Sequence, residues 1–460
     1  MSWLDVFLEE INVITSSLHS IDKKNDQLGV SAMTVKRLLY LVLDGMADRL
    51  SDPVTTLEKA YKPGLDRIAK NGICGAMYTV EKGIAPESDE AVISIIGYNP
   101  HEVYTGRGPI EAVGAGMTIK EGYEIAFRAN FATIDPKTRK LIDRRVGRNL
   151  ETEEAKELAK ALDGMELGKY DGYARVKATV GHRAVVIIGS RTHKLSPYVG
   201  NSDPAYTRKG LLSVAVKDFE PYIKRIEPLE DTEEARITAE LANIFTDKAI
   251  EILDKHPVNE ERRKKGLLPA NAILLRDAGG KIPRATPLPE KYGLKFAVLA
   301  EMPVEIGIGR IFGADTVALE PPIGDPKEIY SIRLEKTLEL LKTYNIVYVH
   351  LKGPDEPGHD RDMELKKKRI EEIDEYFVRP FLERMPSDTA ILVTADHATP
   401  PSVGAHTDDP VPVAVYAPGL EPDDVDQLVE KKCIKGRLGI IEHGWLLLPK
   451  VLELIGLKKQ

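Results

Sequence analysis

The sequence has 460 residues, 42% apolar and 30% charged, with 36 glycines and 30 prolines; this fits two or three globular domains and excludes disordered, collagenous and coiled-coil chains. A net charge of -8, sparse aromatics (6%) and the lack of any long Lys/Arg block argue against nucleic acid or an anionic membrane as partner. Only two cysteines, Cys74 and Cys433, are present, so a disulfide scaffold or thiolate zinc cluster is excluded, and a metal site must draw on carboxylates and the ten histidines.

In chain order, residues 1–32 read as an N-terminal extension, a short amphipathic helix and polar linker ending before Met33. It carries acids early and lacks the basic start and cleavage site of a signal peptide, and no apolar run reaches about 18 residues, so the expected compartment is the cytoplasm. Abundant Lys, Glu and Arg give a thermophile-like balance. Residues 38–43 (LLYLVL) predict a buried parallel strand, because the run is continuously apolar rather than alternating. A helix is expected from near Ser88.

Residues 118–285 read differently, with strands at 184–188 and 273–275 and a long helix over about 232–255. The basic run at 260–265 reads as a solvated helix end. Linkers near 114–116 and 283–289 make 118–285 a second α/β domain, inserted into a first made of 33–117 and 286–460. The C-terminal part predicts a helix over 328–344, a strand at 346–351 (IVYVHL) and a charged helix from 363 to about 384. Strands at 389–394 (TAILVT) and 411–416 (VPVAVY) and a closing helix over 440–454 follow. Helix and strand alternating through short loops predict an α/β fold, a doubly wound and mostly parallel sheet.

Three of these strands run into acids. They lead to Asp44, to Asp355 with His359 four residues on, and to Asp396-His397, with His406 nine residues later. A lone Asp after a strand is ordinarily a turn or cap residue. At the carboxyl edge of one parallel sheet, where ligands bind, the joint set would crowd like charges that need a cation. Oxygen and imidazole donors suit manganese, zinc, magnesium or cobalt, and two such ions side by side suit displacement at phosphorus. Ser88 offers a hydroxyl at a helix mouth. By default such a serine caps the helix, yet the same helix end favours a phosphate formed on that oxygen, which makes Ser88 a candidate nucleophile.

The inserted stretch holds Arg128 and Asn130, Arg145 and Arg148, His182-Arg183, and Ser202-Asp203. Each alone reads as a surface ion pair; gathered, their planar forks predict a clamp for a small anionic phosphate. No GxxxxGK[ST] phosphate loop and no GxSxG elbow occurs. His350 reads as an ordinary strand residue.

The stretches LVLDGMADR, APESDEAVISIIGYNP, YTGRGPIEAVGAG, FRANFATID, DRRVGR, VHLKGPDEPGHD and TADHATP with HTDDPVP resemble the archaeal-type cofactor-independent phosphoglycerate mutases of the alkaline phosphatase superfamily. The resemblance runs from Met33 to the C-terminus in the same order. It implies a metal-binding phosphatase-like domain with a phosphotransferase domain inserted in it. It also implies one divalent ion on Asp355, His359 and His406, and a second on Asp44, Ser88, Asp396 and His397. Manganese is the first choice, with zinc, cobalt or magnesium as alternatives, and no bisphosphoglycerate is needed. Ser88 would accept the phosphoryl group while Arg128, Arg145, Arg148, His182, Arg183, Asp203 and Arg276 hold the substrate. The reaction implied interconverts 2-phosphoglycerate and 3-phosphoglycerate; the alternative is a metal-dependent phosphotransferase or phosphatase acting on another small phosphomonoester. Three positions depart from the pattern: Asp277 for glycine, Pro401 for cysteine, and Ile306 for a lysine, which removes a cation from the expected site. The oligomeric state is left open.

Overall fold

A computed structural model of the chain describes residues 34–216, 218–321 and 323–457; the extension expected at 1–32 lies outside them. Its strands in chain order are β1 (Arg37–Leu43), β2 (Ile73–Met77), β3 (Glu124–Ile134), β4 (Leu141–Asp143), β5 (Met165–Glu166), β6 (Gly172–Ala178), β7 (Arg183–Ser190), β8 (Tyr206–Lys209), β9 (Leu212–Ala215), β10 (Ala272–Gly279), β11 (Phe296–Ala300), β12 (Asp315–Ala318), β13 (Ile346–Leu351), β14 (Thr389–Thr394), β15 (Val411–Tyr416) and β16 (Gly439–Ile441).

Eight strands form one sheet in the order β12-β11-β13-β1-β14-β15-β2-β16. All pairs are parallel except those made by β15, which runs against both neighbours. A parallel return needs a long crossover, usually a helix. The β14–β15 connection has no helix; it is a Pro/Gly-containing loop that holds Asp396, His397 and His406. The continuous apolar reading of the central strands is correct because both their faces are covered. Leu38, Leu39, Tyr40, Leu41, Val42 and Leu43 are all buried in one core with Val347, Val349, Ile391 and Val393, each large aliphatic contributing roughly 1.5–3 kcal/mol by burial.

Strands β3 to β7 and β10 build a second sheet, ordered β10-β3-β7-β6-β5 with β4 on β3, antiparallel throughout, while β8 and β9 pair with each other as a separate two-stranded ribbon. Its strands alternate. Phe127, Ala129 and Phe131 point into a core closed by the helices Thr152–Leu162 and Glu233–Asp254, the latter starting from a Thr232 cap that accepts from Ala235 N. The opposite face meets the helix Arg107–Gly114, which also packs on the helix Pro303–Ile311 of the first sheet. That three-way contact is close because Gly114 and Gly307 have no Cβ: one added at Gly307 would run into Ile110 O, and one at Gly114 into Pro303 O.

Three predicted elements differ in detail. The 363–384 helix is Met363–Ile373 and Arg379–Arg384 joined by a π-helical turn, Asp374–Val378, next to Pro380, which cannot donate to the helical ladder. The closing helix starts only at Leu447, because Gly439–Ile441 pairs with β2 as an edge strand. The basic run lies at the end of the helix Pro257–Lys264, but Arg262 is not solvated: it is buried and binds Leu268 O, Asn149 Oδ1 and Glu154.

Candidate active site

The parallel register builds the first half of the site. Val42 of β1 pairs with His350 on one side and Thr394 on the other. Two residues further along each strand direction come Asp44, Lys352 and Asp396, so the three side chains emerge together at the carboxyl edge. Gly45 N donates to Asp396 Oδ1 (3.1 Å) and Asp44 N to Leu351 O (3.0 Å), fixing the loop ends.

Around that edge the ligand-type residues fall into two adjacent groups. In one, Asp355 Oδ1 lies 3.5 Å from Nε2 of both His359 and His406, whose Nε2 atoms are 3.1 Å apart. In the other, His397 Nε2 lies 3.4 Å from Asp44 Oδ1 and 3.2 Å from Asp396 Oδ2. Ser88 Oγ, at the first position of the helix Ser88–Ile95, is 3.3 Å from the same His397 Nε2. Both triads Asp355-His359-His406 and Asp44-Asp355-His397 are compact enough to hold a cation.

The histidines are oriented for that. His406 Nδ1 faces Pro86 O (2.8 Å) and His359 Nδ1 faces Gly404 O (3.3 Å). A carbonyl only accepts, so each ring donates from Nδ1 and keeps its Nε2 lone pair for the interior. His397 Nδ1 meets Thr399 Oγ1 (2.9 Å), which gives its own proton to Asp355 Oδ1 (2.7 Å) and so accepts from the ring. The buried oxygens Asp44 Oδ1 and Asp396 Oδ2 have no hydrogen-bond partner among the described residues. Unpaired buried carboxylate oxygens are costly, and a hard divalent cation is what this oxygen and imidazole set fits.

The second sheet supplies the other half. Arg128 of β3 stands directly opposite Arg276 of β10, and Asn130 opposite Arg183 of β7. Alternation therefore puts all four on the face turned away from the helix-covered core. Burial, then Arg107 and Arg276 beside it, pushes Arg128 down to about 10. Burial and the guanidinium groups of Arg183, Arg145, Arg128 and Arg276 push His182 down to about 3, so it is neutral. Arg276 stacks over Tyr206 at 4.1 Å, and its buried Nε and Nη1 have no hydrogen-bond partner among the described residues. Burial and then neighbouring cations hold Arg128, Arg145 and Arg183 below the usual guanidinium range, and cations gathered in this way form a site suited to an anion.

Glu87 joins the two halves: its carboxylate is 4.0 Å from His406 Nδ1 and 3.7 Å from Arg107 Nη1. Although burial acts to raise it, His406, Arg107 and Arg128 hold Glu87 below the usual carboxylate range. Arg148 reaches across to Glu356 (3.0 Å) and Asp360 (3.6 Å), flanking Asp355 and His359. Of the predicted substrate residues, Asp203 is fully buried and accepts from Arg144 Nε (2.9 Å) and Nη2 (2.6 Å).

Sequence reading missed three residues of this site. Lys352 Nζ bridges Asp44 Oδ2 (3.0 Å) and Glu305 Oε1 (2.8 Å), and His350 faces the same carboxylates. His350 lies on the face of β13 that also carries Tyr348, and Lys352 continues that alternation just past the strand's end; polar residues at every second position of a wholly buried strand were the available signal. Arg107, buried among Glu87, Asp89 and Glu111, is the third. Two of the departures find a local account. Ile306 is buried in the first core, but Lys352 brings a cation to the carboxylates. Asp277 adopts φ +58° at a bulge in β10, a left-handed conformation that glycine takes without strain.

No helix among the described residues is long and apolar enough to cross a membrane. A sequence model of the family described as 2,3-bisphosphoglycerate-independent phosphoglycerate mutase matches residues 69–259. The chain is similar to the enzyme of that description from Aeropyrum pernix, 48% identical over 91% of this chain and 99% of the relative. It is also similar to one from Methanocaldococcus jannaschii, 40% identical over 91% and 97%. Among solved structures, a cofactor-independent phosphoglycerate mutase from Thermoplasma acidophilum superposes with a TM-score of 0.56 at 32% identity, over 92% of this chain and all of that one. A protein of Pyrococcus horikoshii gives 0.70 at 28% identity, over 92% and 98%.

Proposed function

The chain belongs to the 2,3-bisphosphoglycerate-independent phosphoglycerate mutases, and on that premise we propose that it interconverts 2-phosphoglycerate and 3-phosphoglycerate, with Ser88 accepting and returning the phosphoryl group. The observation that carries this reading is the place of Ser88 Oγ, 3.3 Å from His397 Nε2 and next in sequence to Glu87, which touches both His406 and Arg107. The hydroxyl thus lies where the cation-binding half meets the arginine-rich half.

In the proposed cycle the substrate phosphate sits at the N-terminus of the helix Ser88–Ile95, whose free N–H groups favour anions. Ser88 Oγ attacks phosphorus, the bond to the glycerate oxygen breaks, and phosphoserine forms. Arg128, Arg145, Arg183 and Arg276 keep the freed glycerate by its carboxylate while it turns. Its other hydroxyl then attacks the phosphoserine, and Ser88 is restored. Asp355, His359 and His406 would hold one divalent ion, and Asp44, Asp396 and His397 with Ser88 a second; manganese is the metal we propose. Ions bound there supply Lewis-acid stabilisation of the charge on the transferring group. The two sheets serve as two domains, 33–117 with 286–460, and 118–285 inserted, and Arg148 on Glu356 and Asp360 helps close them over the intermediate and keep water out. The same reading puts the enzyme in glycolysis and gluconeogenesis, in the cytoplasm.

The test is peptide mass spectrometry of enzyme quenched in acid during turnover of 3-phosphoglycerate. Phosphate on the peptide containing Ser88 is the expected result; a different phosphorylated residue, or none, would end the proposal.

A further inference from the structure

By sequence His350 is an ordinary strand residue, and nothing in the proposed cycle uses it. It is fully buried, and its Nε2 lies 3.7 Å from Asp44 Oδ1 and 3.6 Å from Asp396 Oδ2. Both belong to the buried carboxylate oxygens that have no hydrogen-bond partner among the described residues. His397 Nε2 faces the same two oxygens at 3.4 and 3.2 Å. Four donors surround one point. Donors each about 2.1 Å from a common ion in tetrahedral geometry lie about 3.4 Å from one another, and the four separations here, 3.2 to 3.7 Å, bracket that value.

The ring is also oriented like the other three. His350 Nδ1 lies 2.9 Å from the Tyr348 hydroxyl, just as His397, His406 and His359 each turn Nδ1 to an oxygen and Nε2 inward. Tyr348 is buried, and its hydroxyl oxygen can accept from Nδ1–H. A ligating histidine characteristically donates its other N–H in this way. The charges agree as well: Asp44, Asp396 and Glu305 against the single ammonium of Lys352 leave two negative charges at this spot, the complement of a divalent cation. Asp44, His350 and Asp396 are together compact enough to hold one.

We infer that His350 is a ligand of the divalent ion held by Asp44, Asp396 and His397, a fourth imidazole in a site for which the sequence pattern supplies three. This rests on the reading of Asp44, Asp396 and His397 as ligands, and it adds a residue to them.

The direct test is a crystal structure of the full-length wild-type protein soaked with Mn2+. His350 Nε2 within bonding distance of an ion on Asp44 and Asp396 is expected. An ion there with His350 Nε2 more than about 3 Å away overturns this inference alone; no ion on those residues overturns it together with the ligand reading beneath it. In solution, calorimetric titration of metal-free His350→Gln with Mn2+ should show one of two sites weakened roughly ten- to hundred-fold, with the far-ultraviolet dichroism of the wild type. Tyr348→Phe, which keeps the ligand and removes its acceptor, should weaken the same site less. Wild-type affinity at both sites in His350→Gln would refute the assignment.

Discussion

Ser88 Oγ and His397 Nε2 stand 3.3 Å apart, and the opposite nitrogen of that ring is linked through Thr399 Oγ1 to Asp355 Oδ1. One chain of contacts therefore runs from the candidate nucleophile, through a candidate ligand of one group, to the central candidate ligand of the other. The two groups are built as a unit, and changing the residue between them should disturb both.

Thr399→Val removes the acceptor of His397 Nδ1–H and the donor to Asp355 without removing a ligand. Loss of such an outer partner costs roughly ten- to hundred-fold in metal affinity. Titration of metal-free protein should show weakening at both groups, with Thr399→Ser close to wild type. Chelation should lower the melting temperature of the wild type more than that of Thr399→Val, because the stabilisation by a ligand grows with its concentration over Kd.

Arg276 presents buried Nε and Nη1 donors with no hydrogen-bond partner among the described residues, Asp277 Oδ2 lying 3.8 Å from Nε, and such a fork suits an anion. Arg276→Met should raise the KM for phosphoglycerate roughly ten- to hundred-fold, the cost of a charge-assisted hydrogen bond. Mn2+ affinity should stay unchanged. A variant with weakened metal binding and unaltered KM would mean that Arg276 supports the fold rather than the substrate.

His182 is held down to about 3 by burial and by four arginines, against about 6.5 in an unfolded chain. Between those values the unfolded state binds the proton that the folded state refuses. Its contribution to stability is therefore complete above about pH 6.5 and lost progressively as pH falls toward 3. The stability advantage of wild type over His182→Asn, measured by urea unfolding, should shrink by about 1 kcal/mol per pH unit below 6.5. An advantage that is flat or grows on acidification would contradict the environment described.

Gly307 lets the helix Pro303–Ile311 approach the backbone of the helix Arg107–Gly114. Gly307→Ala must push these apart, and overpacking of this kind costs about 1–3 kcal/mol. Its melting temperature should fall, and because the Arg107–Gly114 helix also packs on the face of the second sheet that carries Arg128 and Arg276, KM should rise as well. An unchanged melting temperature would show that the contact is looser than the glycine implies.

The strands that lead to the candidate ligands were legible because they are buried on both faces: β1 covers the apolar run at 38–43, and β13 and β14 coincide with those at 346–351 and 389–394. So was the gathering of Asp44, Asp355, His359, Asp396, His397 and His406 as candidates at one sheet edge, since each follows such a strand closely or lies in its loop. What could not be read was register. Only pairing shows that Arg128 opposes Arg276 and that His350 sits level with Val42, so the arginines remained a set without geometry and His350 and Lys352 a strand end without a role. The direction of β15 and the late start of the last helix were equally out of reach, because both depend on which neighbour a short segment pairs with.

The central claim is that this chain moves a phosphoryl group between the two hydroxyls of glycerate by way of Ser88. Its most direct test is 31P NMR of 3-phosphoglycerate incubated with metal-loaded protein and no bisphosphoglycerate. The account predicts conversion to a mixture with 2-phosphoglycerate and little inorganic phosphate. It also predicts a loss of roughly a thousand-fold or more in Ser88→Ala. Release of inorganic phosphate without 2-phosphoglycerate, or undiminished conversion by Ser88→Ala, would contradict it.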